Sequence, residues 1–270
     1  MDTEVRDETG HNSELAQQIE QILREVAPLV EDVTGLSAPA CPIFSLVTPE
    51  GLQSAASAWA DRVAERDLAS EGLSEAEQLE ICVLVEASKP MIRLMWPLIM
   101  GQTVITDEGP VSLLCPDGLQ HSGVLSDRRF LTQAVVHELA HQPQLENDAD
   151  LHWQSFLPGR RTDMAPVFLM EGHARWADEQ VTQRLFGTPV DADLAPRSEL
   201  FTAHANLTTM QMLDGGNQQS CGVGSQFIAH VVNAMDGTDT LNRVWKDLGL
   251  VPTLEEFRDP DAWLSRVNAA

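Results

Sequence analysis

Apolar residues recur at helical spacing over much of the chain, and they predict most of its secondary structure. From Ser13, apolar positions every three or four residues lie opposite Glu and Gln, which predicts an amphipathic helix that ends near Gly35. The apolar run at residues 43–47, placed between prolines, predicts a short buried strand. Thr48 followed by Pro49 is typical of a helix N-terminus, so a second helix is expected to begin there.

The next segment combines a capped helix with a hairpin. Ser74 and Glu77 have the spacing of a capping box, which opens a third helix. Its inward-facing residues are expected to be Leu79, Val83 and Leu84. Pro90 is expected to end or kink that helix. Residues 103–106 and 111–115 then flank a Gly-Pro turn, and this pattern predicts a β-hairpin.

Beyond residue 143 the spacing of apolar positions predicts mainly helices. They are expected at residues 163–186, 198–213, 222–235, 238–248 and 254–267. The polar and acidic stretch at residues 143–159 is expected to be a loop with a short helix. At the other end of the chain, residues 1–12 are polar and are expected to form a disordered tail.

A helix is also predicted at residues 126–141, and it carries the motif H-E-L-A-H at residues 137–141. Residues i and i+4 of a helix share a face, so both histidines can point at one metal ion. Glu138 can then reach a water molecule bound to that metal. The alternative is an exposed helix turn with two solvated histidines. Pro143 is expected to stop the helix just after the motif.

A second stretch offers a third metal ligand. Catalytic zinc usually takes three protein ligands and leaves the fourth position to water. Glu171 lies in an otherwise apolar run, where an unpaired carboxylate would be costly to bury. The small residues Gly172 and Ala174 beside it would let this helix pack closely against a neighbour. The alternative for Glu171 is a surface carboxylate on an amphipathic helix.

The motif H-E-x-x-H, followed about thirty residues later by E-G-x-A, resembles the gluzincin group of zinc metallopeptidases, in particular its peptidase-MA-like branch. The resemblance covers about residues 130–185. It implies Zn²⁺ bound by His137, His141 and Glu171, with Glu138 as the general base. It also implies a zincin-like fold, in which the metal-binding helix forms the floor of a cleft.

The chain departs from this family in a respect that bears on catalysis. The family often carries a downstream tyrosine that stabilises the tetrahedral intermediate, but this chain contains no tyrosine, and Cys221 stands at the corresponding place. His230, on a predicted helix that returns to the core, is the first choice for a substitute donor. The other candidates are His173, His204 and Arg175. Asp178, two turns after Glu171, could orient a ligand histidine.

The net charge of the chain argues against some classes of binding partner. It has 41 acidic and 17 basic residues, which gives a net charge of −24. Nucleic acids and anionic membranes are bound by Lys and Arg, so neither is expected as a partner. The four cysteines form no C-x-x-C pair and are expected to be free thiols. Without a signal-peptide pattern or a bilayer-length apolar run, a cytoplasmic location is expected.

These patterns predict an α+β protein with a single zincin-like catalytic domain at residues 13–270. Residues 13–142 would form an α/β half with a small mixed sheet and the metal-binding helix, and residues 143–270 a mostly helical half. By order along the chain, residues 111–114 map onto the family's edge strand, which pairs with extended substrate.

The function expected from the motif is peptide hydrolysis by metal-activated water. Two alternatives remain. The first is a metalloenzyme on the same scaffold that acts on a small molecule, for which Fe²⁺ is an alternative metal because two histidines and a carboxylate also bind non-haem iron. The second is an inactive zincin that serves as a binding module.

Overall fold

The N-terminal half of the chain forms a small mixed sheet. The structure is a computed structural model, and it describes residues 2–147, 154–157, 164–191, 194–211 and 216–269. The strands of the sheet are β1 (Glu4–Asp7), β2 (Ile43–Leu46), β3 (Gly101–Thr106) and β4 (Gly109–Leu114). They lie in the order β1-β2-β4-β3, with β1, β2 and β4 parallel and β3 antiparallel to β4. The expected α+β class with a small mixed sheet is confirmed.

Helices make up most of the remaining described residues. Those that interleave with the strands are α1 (Ser13–Thr34), α2 (Pro49–Leu68) and α3 (Glu75–Met95). Those that follow the sheet are α4 (Pro116–His121), α5 (Arg128–Asn147), α6 (Ala165–Phe186), α7 (Glu199–Gln211), α8 (Gly216–Met235), α9 (Asp239–Asn242) and α10 (Pro260–Ala269). Within the described ranges, no helix is both long and apolar enough to cross a membrane.

Local sequence signals account for several helix ends. Gly35 takes a left-handed conformation, with φ 64°, directly after α1. The Thr48 hydroxyl accepts a hydrogen bond from the Gly51 N–H at the start of α2. Ser74 and Glu77 form both bonds of the predicted capping box at the start of α3. These ends were therefore predictable from a few neighbouring residues.

The prediction of a disordered tail at residues 1–12 is wrong for residues 4–7, which form β1. This strand pairs in parallel with β2. The Asp7 carboxylate then accepts three backbone N–H bonds from the turn that leads into α1. Strand pairing satisfies backbone groups whatever the side chains are, so an acidic segment can form an edge strand without an apolar pattern.

Pro90 and Pro143, expected from the sequence to end or kink their helices, both lie inside helices. A proline in a helix interior removes one backbone hydrogen bond. In α5 the two residues after the proline, Gln144 and Leu145, are buried, and this packing offsets the loss. The helix that carries the H-E-L-A-H motif therefore extends one turn beyond the expected stop.

The connection between α5 and α6 is described at residues 154–157, and its other residues lie outside the described part. The fully buried Asp67 carboxylate of α2 accepts a bond from the Phe156 N–H at 2.6 Å and from the Ser155 hydroxyl at 3.1 Å. Phe156 and Leu157 pack against apolar side chains of α2 and α3. The connection is thus anchored on α2.

Helix α3 turns a different face inward from the one its pattern predicts. Leu79 and Val83 are 65% and 58% exposed, and Leu84 is half-buried. Ile81 and Val85 pack instead against α2. Helix α3 therefore has two apolar faces. The face with Ile81 and Val85 packs against α2, and the face with Leu79 and Val83 is exposed.

Helices α6 and α8 cross closely because glycines meet at the crossing. A Cβ on Gly172 would clash with the backbone of Gly224, and a Cβ on Gly224 would clash with the Phe168 carbonyl. Neither position accepts a larger residue without moving a helix. Since α6 also packs along α5, this crossing holds the helix that carries Glu171 beside the helix that carries the two histidines.

Candidate metal centre

Helices α5 and α6 bring together the three side chains that the motif names as metal ligands. His137, His141 and Glu171 each offer one ligand atom, and these atoms lie within 4.8 Å of one another. His137 Nε2 is 3.4 Å from Glu171 Oε2, and His141 Nε2 is 3.9 Å from Glu171 Oε1. Their side chains are 22%, 9% and 28% exposed, so the cluster is accessible from outside. The group can hold a metal ion.

His137 is oriented by a buried carboxylate. Its Nδ1 donates to Asp178 Oδ2 at 3.1 Å, and Gln133 Nε2 donates to Asp178 Oδ1 at 3.2 Å. Burial raises the pKa of Asp178 to about 6, against the opposing effect of His137. Burial also acts to lower the pKa of His137, but the hydrogen bonds with Asp178 and Glu171 outweigh it and raise that pKa well above its usual value. The contact between Asp178 and a histidine of the motif is therefore present, and its role in orienting a metal ligand stays a prediction.

His141 is oriented by neutral groups. Its Nδ1 donates to Gln144 Oε1 at 2.8 Å, and Gln144 Nε2 donates in turn to His173 Nδ1 at 2.8 Å. His173 is fully buried beside the rings of Trp176 and Trp245. Burial lowers the pKa of His173 to about 3, so this ring is neutral and carries its hydrogen on Nε2. That Nε2 has no hydrogen-bond partner among the described residues.

Glu138, the candidate general base, is held against β3. Its Oε2 accepts a bond from the Thr103 hydroxyl at 2.8 Å, and Thr103 Oγ1 lies 2.9 Å from Ser112 Oγ. A Cβ on Gly101 would lie 2.6 Å from Glu138 Cγ, so glycine leaves room for the carboxylate there. The side chain is buried, and burial raises its pKa, while the two histidines and Thr103 act in the opposite direction.

His230, the first choice for an oxyanion donor, faces solvent and α10. Its side chain is 45% exposed, and its Nε2 bonds to Asp261 Oδ1 at 2.9 Å. Helix α8 does return to the core, but through Phe227, which is buried on another face. The contact that the structure gives His230 is therefore with α10, and its role as an oxyanion donor stays a prediction. Cys221 is also in α8, and its side chain lies outside the described part.

The other three candidate donors are also engaged. Arg175 forms ion pairs with Glu179 and Asp191. His204 Nδ1 bonds to a carbonyl of its own helix at 3.0 Å. His173 is fully buried and bonded through Nδ1, as described above. The contacts named here join these three residues to groups outside the metal cluster, and their role as donors stays a prediction.

The outer strand beside the candidate base is β3, and not residues 111–114, which the sequence order mapped onto that role. Those residues belong to β4, which is paired on one side with β2 and on the other with β3. The order of elements predicted a hairpin before the metal-binding helix. It could not tell which strand of the hairpin lies outside, because that depends on where β2 joins the sheet.

Three residues that support the site were missed in the sequence. Gln133 lies four residues before the first histidine of the motif, and Gln144 lies three after the second, so helical spacing already places both on the same face as these histidines. Helical spacing could therefore have predicted both glutamines as neighbours of the histidines. Thr103 gives no such signal, because its contact with Glu138 joins residues that are 35 positions apart on different elements.

No protein-family model matches the chain, and no curated protein matches its sequence. A solved structure from Chloroflexus aurantiacus, described as “a putative hydrolase with a novel fold”, is similar with a TM-score of 0.58. The alignment covers 96% of this chain and 92% of that chain, at 16% sequence identity. At this identity the likeness shows a shared fold and no more.

Proposed function

We propose that the chain is a metal-dependent hydrolase of zincin-like fold, and most specifically a zinc metallopeptidase. The observation that carries the proposal is the convergence of His137, His141 and Glu171 with the buried carboxylate of Glu138 beside the first ligand. A site that only bound metal would not need this carboxylate, whereas hydrolysis requires a base next to the reacting water. The description of the structural neighbour as a hydrolase adds support.

The chemistry of the three residues suits Zn²⁺. Two imidazole nitrogens and one carboxylate oxygen are a known ligand set of catalytic zinc. Both Nδ1 atoms are occupied by bonds to Asp178 and Gln144, which leaves the Nε2 atom of each ring for a metal. Two neutral imidazoles and one carboxylate would leave the ion with a net positive charge. The same set suits Fe²⁺, which is the alternative metal.

When bound, Zn²⁺ would act as a Lewis acid on water and on a substrate carbonyl. Glu138 would accept the proton of the attacking water and deliver it to the leaving amine. Burial raises the pKa of Glu138, which suits a group that must first take and then release a proton. The Thr103 hydroxyl would keep the carboxylate in place through both transfers.

The position of β3 supports a peptide as the substrate. It is the outermost strand at its end of the described sheet, and Thr103 places it directly beside Glu138. An extended peptide can add to a sheet edge through backbone hydrogen bonds. A peptide bound there would run past the candidate base, as the resemblance to gluzincins implies.

A second candidate is a metalloenzyme that acts on a small molecule. Two observations favour it. The chain has no tyrosine, and each substitute donor considered has another partner in the described structure. A peptidase without a further donor must stabilise its oxyanion by the metal alone, and loss of one such donor costs about 100-fold or more in rate.

The test combines metal content with cleavage. Elemental mass spectrometry of protein purified without added metal should give about one zinc per chain, and Glu171→Ala should lose it. Glu138→Gln should keep the zinc and lower peptide cleavage by at least about 100-fold. Glu146→Gln is a matched control, because Glu146 is an exposed carboxylate on the same helix.

Three results would change the proposal. Zinc together with turnover of a small molecule, but no peptide cleavage, selects the second candidate. Iron in the purified protein points the same way. Absence of metal even after zinc is offered rejects the whole mechanism.

We also propose a cytoplasmic location and partners other than nucleic acid. Cys41, Cys82 and Cys115 are free thiols, which suits a reducing compartment. The net charge of −24 disfavours contact with polyanions.

A further inference from the structure

The outward face of α3 is a continuous apolar stripe. Its residues lie three or four positions apart along the whole helix and are Ala76, Leu79, Val83, Ala87, Pro90 and Leu94. All six are exposed, and the three large ones are between 55% and 65% exposed. A surface helix normally carries polar residues on the face opposite its core contacts. A stripe of about five turns therefore marks a contact surface.

Two charged residues of opposite sign lie beside the two ends of the stripe, and Glu86, which lies between them, is already paired with Lys89. Glu75 lies at the acidic N-terminal end and Arg93 at the basic C-terminal end, and eighteen residues, or about five turns, place them on the same side of the helix. Neither forms an ion pair with another described residue. Lys89 differs, because it is already paired with Asp61 and Glu86. Glu75 and Arg93 thus remain available to pair with another molecule.

We propose that this stripe is the interface of a homodimer, in which α3 packs antiparallel against α3 of a second copy. A twofold axis between Val83 and Ala87 sets Ala76 opposite Leu94 of the partner subunit. The same axis sets Arg93 opposite Glu75 of the partner subunit, and this pair forms twice in each dimer. A parallel pairing would bring like charges together instead.

A cavity of about 230 Å³ beside the stripe fits this orientation. Its lining residues are Gln53, Glu86, Lys89, Pro90 and Arg93. It therefore lies at the basic end of α3. The antiparallel arrangement brings the acidic end of the partner helix over this cavity, where the Arg93 guanidinium can meet a glutamate side chain, whereas Lys89 is already paired with Glu86 of the same lining.

Sedimentation of the full chain over a range of concentrations tests the proposal. The salt concentration should be near 0.15 M, where screening limits the repulsion between two chains of charge −24. We expect a dimer, and we expect Val83→Glu to raise its dissociation constant at least about tenfold, because a charge enters the apolar centre twice. Val83 is exposed in the single chain, so the circular dichroism should not change, and neither should the melting temperature at a concentration where both proteins are monomeric. Leu254→Glu is the control, since Leu254 is an exposed leucine outside α3.

Charge reversal tests the orientation. Arg93→Glu and Glu75→Arg should each weaken the dimer several-fold, and the double variant should restore it, because each subunit then offers the reversed pair. A monomer at every concentration, a dimer that resists Val83→Glu, or a double variant as weak as the single ones would overturn the proposal. Each of these results leaves the metal proposal untouched, because α3 carries none of its ligands.

Discussion

The two histidines of the candidate metal centre are supported in different ways. His137 is held by Asp178, a buried carboxylate, whereas His141 is held by Gln144, a neutral amide whose other end bonds to His173. An anionic partner stabilises a protonated imidazole, so protons compete with metal at that ring. An amide fixes the orientation of a ring without favouring its charge. One ligand therefore governs the charge balance of the site, and the other governs mainly its geometry.

Replacing Asp178 by Asn tests the anionic support directly and should have the largest effect. The amide keeps the shape of the side chain and removes the charge that faces His137. We expect the dissociation constant for Zn²⁺ to rise about 100-fold, as measured by competition with a chromogenic chelator. Glu179→Gln serves as the control, because it removes the neighbouring charge without touching a ligand. If Asp178→Asn weakens Zn²⁺ binding no more than the control does, the charge of Asp178 does not support His137 as a ligand.

The pH dependence of metal binding sharpens the same contrast. The raised pKa of His137 means that its ring keeps a proton to higher pH than an ordinary imidazole does in the metal-free protein. Metal must displace this proton, so affinity should rise by up to about tenfold per pH unit until the pH passes that pKa. Calorimetric titration in buffers of different ionisation enthalpy counts the protons released. Asp178→Asn should lower the pH at which the metal affinity stops rising. A metal affinity that does not change with pH through neutrality would contradict the raised pKa of His137.

Replacing Gln144 by Leu tests the neutral support. The change removes the bonds to both rings while it keeps the volume of a buried side chain, and no charge is lost. We expect about a tenfold loss of Zn²⁺ affinity with no shift in the pH at which affinity levels off. Gln144→Glu is the informative companion, because it gives His141 an anionic partner. If the contrast holds, that variant binds metal with a steeper pH dependence than the unchanged protein.

Helix geometry explains which parts of this centre could be predicted from the sequence. The spacing of His137 and His141 within one helix, and that of Glu171 and Asp178 within another, fixed which side chains share a face. The class of fold followed in the same way from periodicity and from turn signals such as the Ser74 capping box. Each of these inferences needed only residues that are near one another along the chain.

Contacts between distant elements could not be predicted in this way. The bond from Thr103 to Glu138 depends on how β3 crosses α5, and the exposed position of His230 depends on how α8 packs against α10. Composition was also misleading, because residues 4–7 pair through their backbone groups despite their polar side chains. On α3 the apolar pattern was identified, but a pattern does not say whether the same chain or another one covers it.

Replacing His173 by Phe should have the smallest effect on the centre. Among the described residues, His173 is hydrogen-bonded towards the candidate ligands through Gln144, and Gln144 Nε2 keeps a second bond to the Met170 carbonyl at 3.2 Å. Phenylalanine fills the space beside Trp176 and Trp245 and removes a buried N–H that has no described partner. That removal offsets part of the lost bond. We expect the Zn²⁺ dissociation constant to rise only about threefold, with little change in melting temperature.

The imidazole nitrogen resonances of His141 give a measurement that does not depend on affinity. In His173→Phe they should still report a hydrogen on Nδ1, because Gln144 Oε1 still accepts it, whereas in Gln144→Leu the two ring nitrogens should exchange it. If His173→Phe disturbs these resonances as strongly as Gln144→Leu does, the amide does not hold His141 by itself. The support of the second ligand would then be the whole chain of bonds from His141 to His173, and the buried imidazole would belong to the machinery that sets the geometry of the metal centre.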